Sequence, residues 1–348
     1  MDIDQLLTDF KAEISTSSPS AVQATGIRTK VGHVRTFLEF MCASSEGRDD
    51  QHRPATVACL LAKDSFNAFF SRGLRKYTPT TKEHYIRSLC AFVRYVSDCR
   101  PPGLDLDEAA LSTLARRLKQ ERAALSPKIT LHRLTLMREK SRSMLSGDDC
   151  RDFLRRAPAH ITAALEELET GPILDYATVT GLVGLVVAYF TTATGIRRGC
   201  FLGMTPEDLE RAQTTEGEGI CLSLGTDKTC HVYGDAQLPL KDSEHAWLLR
   251  YAALRHRLPG YNDPSVTGGD GPETFFFNSR GKPLASITVH VKAAYKLTLG
   301  RSGVTPTCIR SAVATVSERQ LSDLDQSNVA KAMGHRRKTR DRHYVQLR

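Results

Sequence analysis

The last stretch of the chain runs from Gly334-His335 through Arg336, Arg337, Lys338, Arg340 and Arg342 to Tyr344, with Arg348 just beyond. A phenol among so many positive charges is pushed toward the phenolate, and the same charges attract phosphate. That setting suits nucleophilic attack on a phosphodiester of a nucleic-acid backbone. Other residues have the chemistry to assist. Arg197 stands in Thr194-Gly195-Ile196-Arg197-Arg198-Gly199, where the glycine lets the chain turn and the guanidinium project from the start of the next helix. An arginine there can fork two oxygens of one phosphate, which lysine does less well. Arg310 stands in Thr305-Pro306-Thr307-Cys308-Ile309-Arg310, in the first turns of a helix with an apolar face of Ile309, Val313 and Val316, and is expected at that helix's edge, facing a cleft. Lys228 lies at the tip of an expected hairpin, where its ammonium could reach a scissile phosphate. His335 falls at a helix C-terminus, where the backbone dipole favours a protonated imidazole. Taken singly, each has an ordinary reading: a surface arginine, an arginine–carboxylate bridge, a solubilising lysine, a helix-capping histidine.

The elements that must position these groups are mostly helices. Val31, Val34, Phe37, Leu38 and Met41 recur at helical spacing over Thr29–Cys42, and Ala55–Phe70 and Thr81–Val96 repeat the pattern. Thr78 and Pro79 are helix-start residues, and Pro101-Pro102-Gly103 breaks the chain before a helix over Asp107–Leu125. Ser146 to Asp149 carries another N-cap signal, followed by helices over Cys150–Arg156, Ile161–Glu169 and Tyr176–Thr192. Gly219–Leu224 and His231–Leu240 read as two strands joined through Gly225 to Cys230. Tyr261–Pro272 reads as a loop, and helices return over Ile287–Leu299, Pro306–Arg319 and Ser327–Met333. The expected fold is mainly α with a small antiparallel β element, in two domains: a helical bundle over residues 1–125 and a second domain over 145–348. Residues 126–144 hold Lys128, Arg133, Arg138 and Lys140 with few acids, and read equally as a solvated basic linker or as a strap on DNA.

Composition limits the function classes. The chain has 348 residues, 41% hydrophobic and 25% charged, enough for two cores. A net charge of +9 calls for an anionic partner, with nucleic acid ahead of a membrane surface. The acidic start, Met1-Asp2-Ile3-Asp4, is unlike a signal peptide, and the most apolar run, Leu182–Phe190, is about half the length of a membrane span. Nine cysteines without a CxxC pair fit a reducing intracellular compartment. Cys221, Cys230 and His231 fall short of a zinc ligand set, and neither a metal nor a cofactor is expected.

In chain order, the TGxR segment ending at Arg197, the hairpin Lys228, the helix segment ending at Arg310, the Gly334-His335 pair and a tyrosine nine positions after His335 resemble the catalytic domain of the tyrosine recombinases, the phage-integrase family. The resemblance implies a core-binding domain in the helical N-terminal part. It also implies that Tyr344 is the nucleophile, Arg197 and Arg310 the phosphate clamp, Lys228 the general acid and His335 a phosphate hydrogen-bonder. Two positions depart from the family pattern. Thr307 stands where the family has the His of HxxR, and Cys200 where many members carry Glu after the first arginine. Thr donates a hydrogen bond but cannot hold a proton near neutral pH. With the His343-Tyr344 ending, this is most similar to the eukaryotic transposon branch, the Cryptons, and implies a nuclear location in a eukaryotic host.

The expected activity is site-specific recombination or integration of DNA, including transposition of a mobile element, by a homotetramer on paired duplex sites. Lys30, Arg35, Arg75, Lys76 and Lys82 on the bundle, the basic residues of 126–144, and Arg336, Arg337 and Lys338 are the expected DNA contacts. Two rivals stay open: a domesticated DNA-binding protein of the same fold without catalysis, and a topoisomerase of type IB that relaxes one duplex alone.

Overall fold

A computed structural model describes residues 3–15, 21–43, 63–101, 106–142, 144–171, 175–215, 219–225, 235–262 and 271–333. The chain is mainly helical with one small antiparallel sheet, and divides into two compact units at Arg138–Glu139.

The first unit contains α1 (Ile3–Ser15), α2 (Ala21–Ala43), α3 (Lys63–Ala68), α4 (Pro79–Cys99) and most of α5 (Glu108–Arg142). Its core is aromatic: Phe10, Phe37, Phe66, Phe69 and Phe92 are almost fully buried, and Phe37 meets Phe69 edge-on at 5.1 Å between ring centres. After α3 the chain makes a π-helical turn, Phe69–Gly73. Thr78 then caps α4, its hydroxyl accepting from Thr81 N, with Pro79 in the first helical position. The basic stretch after Leu125 is helical, because α5 runs on to Arg142. Its buried stripe, Leu111, Leu114, Leu118, Leu125 and Ile129, passes across Pro127 in register.

The second unit contains α6 (Gly147–Thr170), α7 (Tyr176–Thr194), α8 (Arg198–Leu202), α9 (Pro206–Glu210), β1 (Gln213–Thr215), β2 (Gly219–Leu224), β3 (Ala236–Leu240), α10 (Asp242–Leu254), α11 (Thr288–Leu299), α12 (Pro306–Gln320) and α13 (Asp323–Ala332). α6 begins with a full capping box between Ser146 and Asp149. Two helices were expected here, and one continuous helix crosses Pro158. The proline costs about 3 kcal/mol, but Phe153 and Ala157 before it and Ile161, Leu165 and Leu168 after it form one buried stripe. Three large apolar side chains beyond the proline, at roughly 1.5–3 kcal/mol each, outweigh it.

α7 is the axis of this unit. At 19 residues it is longer than its most apolar run suggested, and apolar enough to cross a membrane by length and composition; 72% of that stretch is buried inside the protein. It packs against α6 and α11, and Gly184 lies so close to His290 that a Cβ would come within 2.7 Å of its backbone. The sheet has three antiparallel strands, in the order β1-β2-β3, where two were expected. Leu222 faces Leu238 across the β2–β3 pair and both are buried, as are Leu224 and Leu240. α10 was not expected; Trp247, Leu248, Tyr251 and Leu254 form its buried face. Its buried Glu244 accepts from Tyr189 Oη of α7 at 2.7 Å and from Lys241 N at 2.9 Å.

Candidate active site

The TGxR segment is the end of α7. Thr194 Oγ1 donates to Phe190 O (2.7 Å) and accepts from Ile196 N (3.2 Å), and Gly195 ends the helix in the left-handed region at φ +71°. Glycine is required there twice over. A side chain would be strained at that φ, and its Cβ would lie 2.8 Å from Met333 Cγ. The tight turn leaves Arg197, half-buried, as the N-cap residue of α8. Arg198 is exposed and donates to Thr288 Oγ1.

The second segment starts α12. Thr305 Oγ1 accepts from Cys308 N (3.2 Å) and donates to Cys308 Sγ (3.1 Å), with Pro306 in the first helical position. Thr307 is exposed on the first turn. Arg310 lies one turn further on and is only 4% exposed. Rather than reaching into an open cleft, it donates from Nη1 to Gly195 O (2.6 Å) and from Nη2 to Met333 O (3.0 Å). Hydrogen bonds from a charged donor to buried carbonyls are strong, so this guanidinium is fixed in place. It joins the α7 turn, the start of α12 and the end of α13, two residues before His335.

Lys228, His335 and Tyr344 lie outside the described residues, as do Arg336, Arg337, Lys338 and His343; β2 and β3 pair up to Leu224 and Ala236 on either side of the segment that carries Lys228. Among the described tyrosines, burial raises the pKa of Tyr85 (to about 12), Tyr95, Tyr176, Tyr189, Tyr251 and Tyr295. Those phenols are held in the neutral form, which makes them poor nucleophiles. Cys221 donates to Gln237 Oε1 at 3.1 Å, and its proposed neighbours Cys230 and His231 are outside the described residues. Cys200 is buried, in a packing position.

The expected DNA contacts of the first unit are unlike one another. Lys30, Arg75 and Lys76 are exposed, with Lys76 over the Tyr77 ring at 5.3 Å. Arg35 is paired with Asp4 (2.7 Å) and Glu39 (3.8 Å), and Lys82 Nζ donates to Phe70 O (3.3 Å) at the π-helical turn. Lys128 and Arg138 are exposed on α5, and Lys140 lies on its last turn, where the side chain is not described. Arg133 approaches the buried carboxylate of Glu83 at 3.7 Å, in company with Arg87 and Arg122. The sequence reading did not single out those two; the Glu83–Arg87 spacing of four residues was the available signal.

No family model and no curated protein matches the sequence. Among solved structures, the chain is similar to XerA recombinase, with 16% identity and a TM-score of 0.36, covering 100% of this chain and 94% of that one. It is also similar to the Tn1549 transposon integrase in complex with transposon right end DNA, with 14% identity and a TM-score of 0.47, covering 100% and 96%. The same integrase with a circular intermediate DNA gives 14% identity and a TM-score of 0.45.

Proposed function

We propose that the protein is a tyrosine recombinase that cuts and rejoins DNA strands. Tyr344 Oη attacks the scissile phosphorus, a 3′-phosphotyrosyl bond forms, and the 5′ oxygen leaves with a proton from Lys228. A 5′-hydroxyl then reverses the step; one phosphodiester-type bond replaces another, so no ATP is consumed. Arg197 and Arg310 stabilise the charge that develops on the phosphoryl oxygens, and this electrostatic contribution is the largest. They also hold the phosphate in line with the phenol. Since Thr307 cannot take up a proton, the one leaving Tyr344 goes to His335, His343 or water.

A single observation carries the reading. Arg310 donates to Gly195 O, 115 residues away, and to Met333 O, so the TGxR turn, the start of α12 and the end of α13 meet at one buried cation. The test is incubation with a nicked suicide duplex, from which the wild type should form a covalent protein–DNA adduct. Tyr344→Phe should form none while binding with nearly unchanged affinity; an adduct from the Phe variant would refute the nucleophile assignment.

Thr307, exposed in the family histidine's place, favours one second reading: a DNA-binding protein of this fold without catalysis. Duplex binding by the wild type with no adduct would select it. Recombination by a tetramer on paired sites, in a mobile element of the Crypton kind, is part of the main proposal. Plasmid relaxation by a monomer, with no need for paired sites, would replace it with topoisomerase activity.

A further inference from the structure

On the seam between α4 and α5, one carboxylate gathers three arginines. Glu83 is 10% exposed in its side chain, and Arg87 Nη2 donates to its Oε1 at 2.7 Å. Arg122 Nη2 stands 3.8 Å from Oε1 and Arg133 Nη2 3.7 Å from Oε2. Those two distances exceed a hydrogen bond, so of the three only Arg87 hydrogen-bonds to the buried carboxylate. Three positive charges against one negative leave a surplus of two, on arginine side chains that are 54%, 56% and 61% exposed. Arg122 and Arg133 start three turns apart on α5, about 16 Å along the axis, yet both arms reach toward Glu83. Arg122 and Arg133 help to keep the carboxylate ionised without hydrogen-bonding to it. The opposite end of the seam carries Asp98 and Glu108 together with Arg94, so the acidic side chains lie away from Glu83.

We propose that Arg87, Arg122 and Arg133 form one phosphate-binding cluster that grips the backbone of duplex DNA, with Glu83 as the residue that positions them. A guanidinium has five N–H donors, so an arginine bound to a carboxylate on one edge can still offer another edge to a phosphate. The cluster adds Arg87 and Arg122 to the expected contacts and gives Arg133 a defined setting. The inference rests on the proposed DNA activity, but concerns affinity rather than strand cleavage.

The experiment is binding of a labelled duplex by the full chain over a salt series, with thermal melts to confirm folding. Arg122→Gln and Arg133→Gln each lose one phosphate contact, so each should weaken binding to all sequences alike and lower the log–log salt slope by about 1. Arg122→Lys should keep most of the slope. Arg116→Gln, at an exposed position on α5 outside the cluster, should leave it unchanged. Glu83→Gln discriminates most sharply. It raises the net charge by one, so charge counting alone has it bind DNA more tightly, whereas loss of positioning makes it bind more weakly. Tighter binding would overturn the role of Glu83. Wild-type slopes in both Arg→Gln variants, or an equal loss in Arg116→Gln, would overturn the cluster. If an adduct still forms in that case, the proposed function stands without it; a wild type that binds no duplex would sink both.

Discussion

The two units hold their arginines in opposite ways. In the second, the cation is buried: Arg310 is almost completely enclosed and committed to two main-chain carbonyls. In the first, the anion is buried: Glu83 is enclosed and the three guanidiniums around it remain in solvent. A buried guanidinium tied to two carbonyls is rigid and holds in place the turn that carries Arg197, which suits the phosphate clamp proposed above, where small displacements are costly. Exposed guanidiniums over a fixed anion tolerate variation in the partner and suit a grip that is indifferent to sequence. In each cluster the buried member is the one that the fold holds fixed, whatever the number of charges around it.

Arg310→Ala should have the largest effect. Strand cleavage should fall by orders of magnitude in a single-turnover assay, because a transition-state charge loses its partner. Stability should fall as well, since Gly195 O and Met333 O both lose a charged donor worth about 1.5–3 kcal/mol each. Arg310→Lys separates the two effects: it restores the charge but not the two-armed geometry, and urea unfolding should still show a loss of about 1.5–3 kcal/mol. Undiminished cleavage in the Ala variant would end the clamp assignment.

Gly195→Ala comes next. The left-handed backbone costs roughly 1–2 kcal/mol for a residue with a Cβ, and the contact with Met333 adds to it, so the melting temperature should drop clearly. Cleavage should drop too, because Arg197 follows on the same turn.

The response to acid sharpens the contrast from the side of the first unit. Burial pushes the Glu83 carboxyl up, but its hydrogen bond with Arg87 and the charges of Arg87, Arg133 and Arg122 outweigh that and leave its pKa below the ordinary value of 4.5. A carboxyl whose folded pKa is depressed contributes stability that is complete above its unfolded pKa and lost as the pH falls through the folded one. Glu83→Gln should therefore flatten the acid limb of the stability curve below about pH 4.5 while leaving its shape near neutrality alone. An unchanged acid limb would mean that the carboxylate is not tied to its arginines.

The smallest expected effects are at two equivalent helix starts. Thr78→Ala and Thr305→Ala each remove a hydroxyl that accepts from the third helical N–H, at a cost of about 1 kcal/mol. Thr305→Ala alone should also slow cleavage, since it loosens the turn on which Arg310 stands.

Local signals determined much by themselves. The caps at Thr78-Pro79, Ser146–Asp149 and Thr305-Pro306, the glycine that ends α7 and the alternation along β2 and β3 are properties of a few neighbouring residues, and short-range backbone chemistry is enough to read them. The order of Arg197 and Arg310 along the chain was legible in the same way. The remaining features depend on burial against distant residues. α6 continues through Pro158 and α5 through Pro127 because apolar stripes on both sides of each proline have a core to enter. Arg310 is buried rather than facing an open cleft because the carbonyls that receive it come from Gly195 and Met333, far away in the chain. Arg122 and Arg133 stand beside Glu83 because α4 and α5 pack side by side, a neighbourhood that no local spacing encodes.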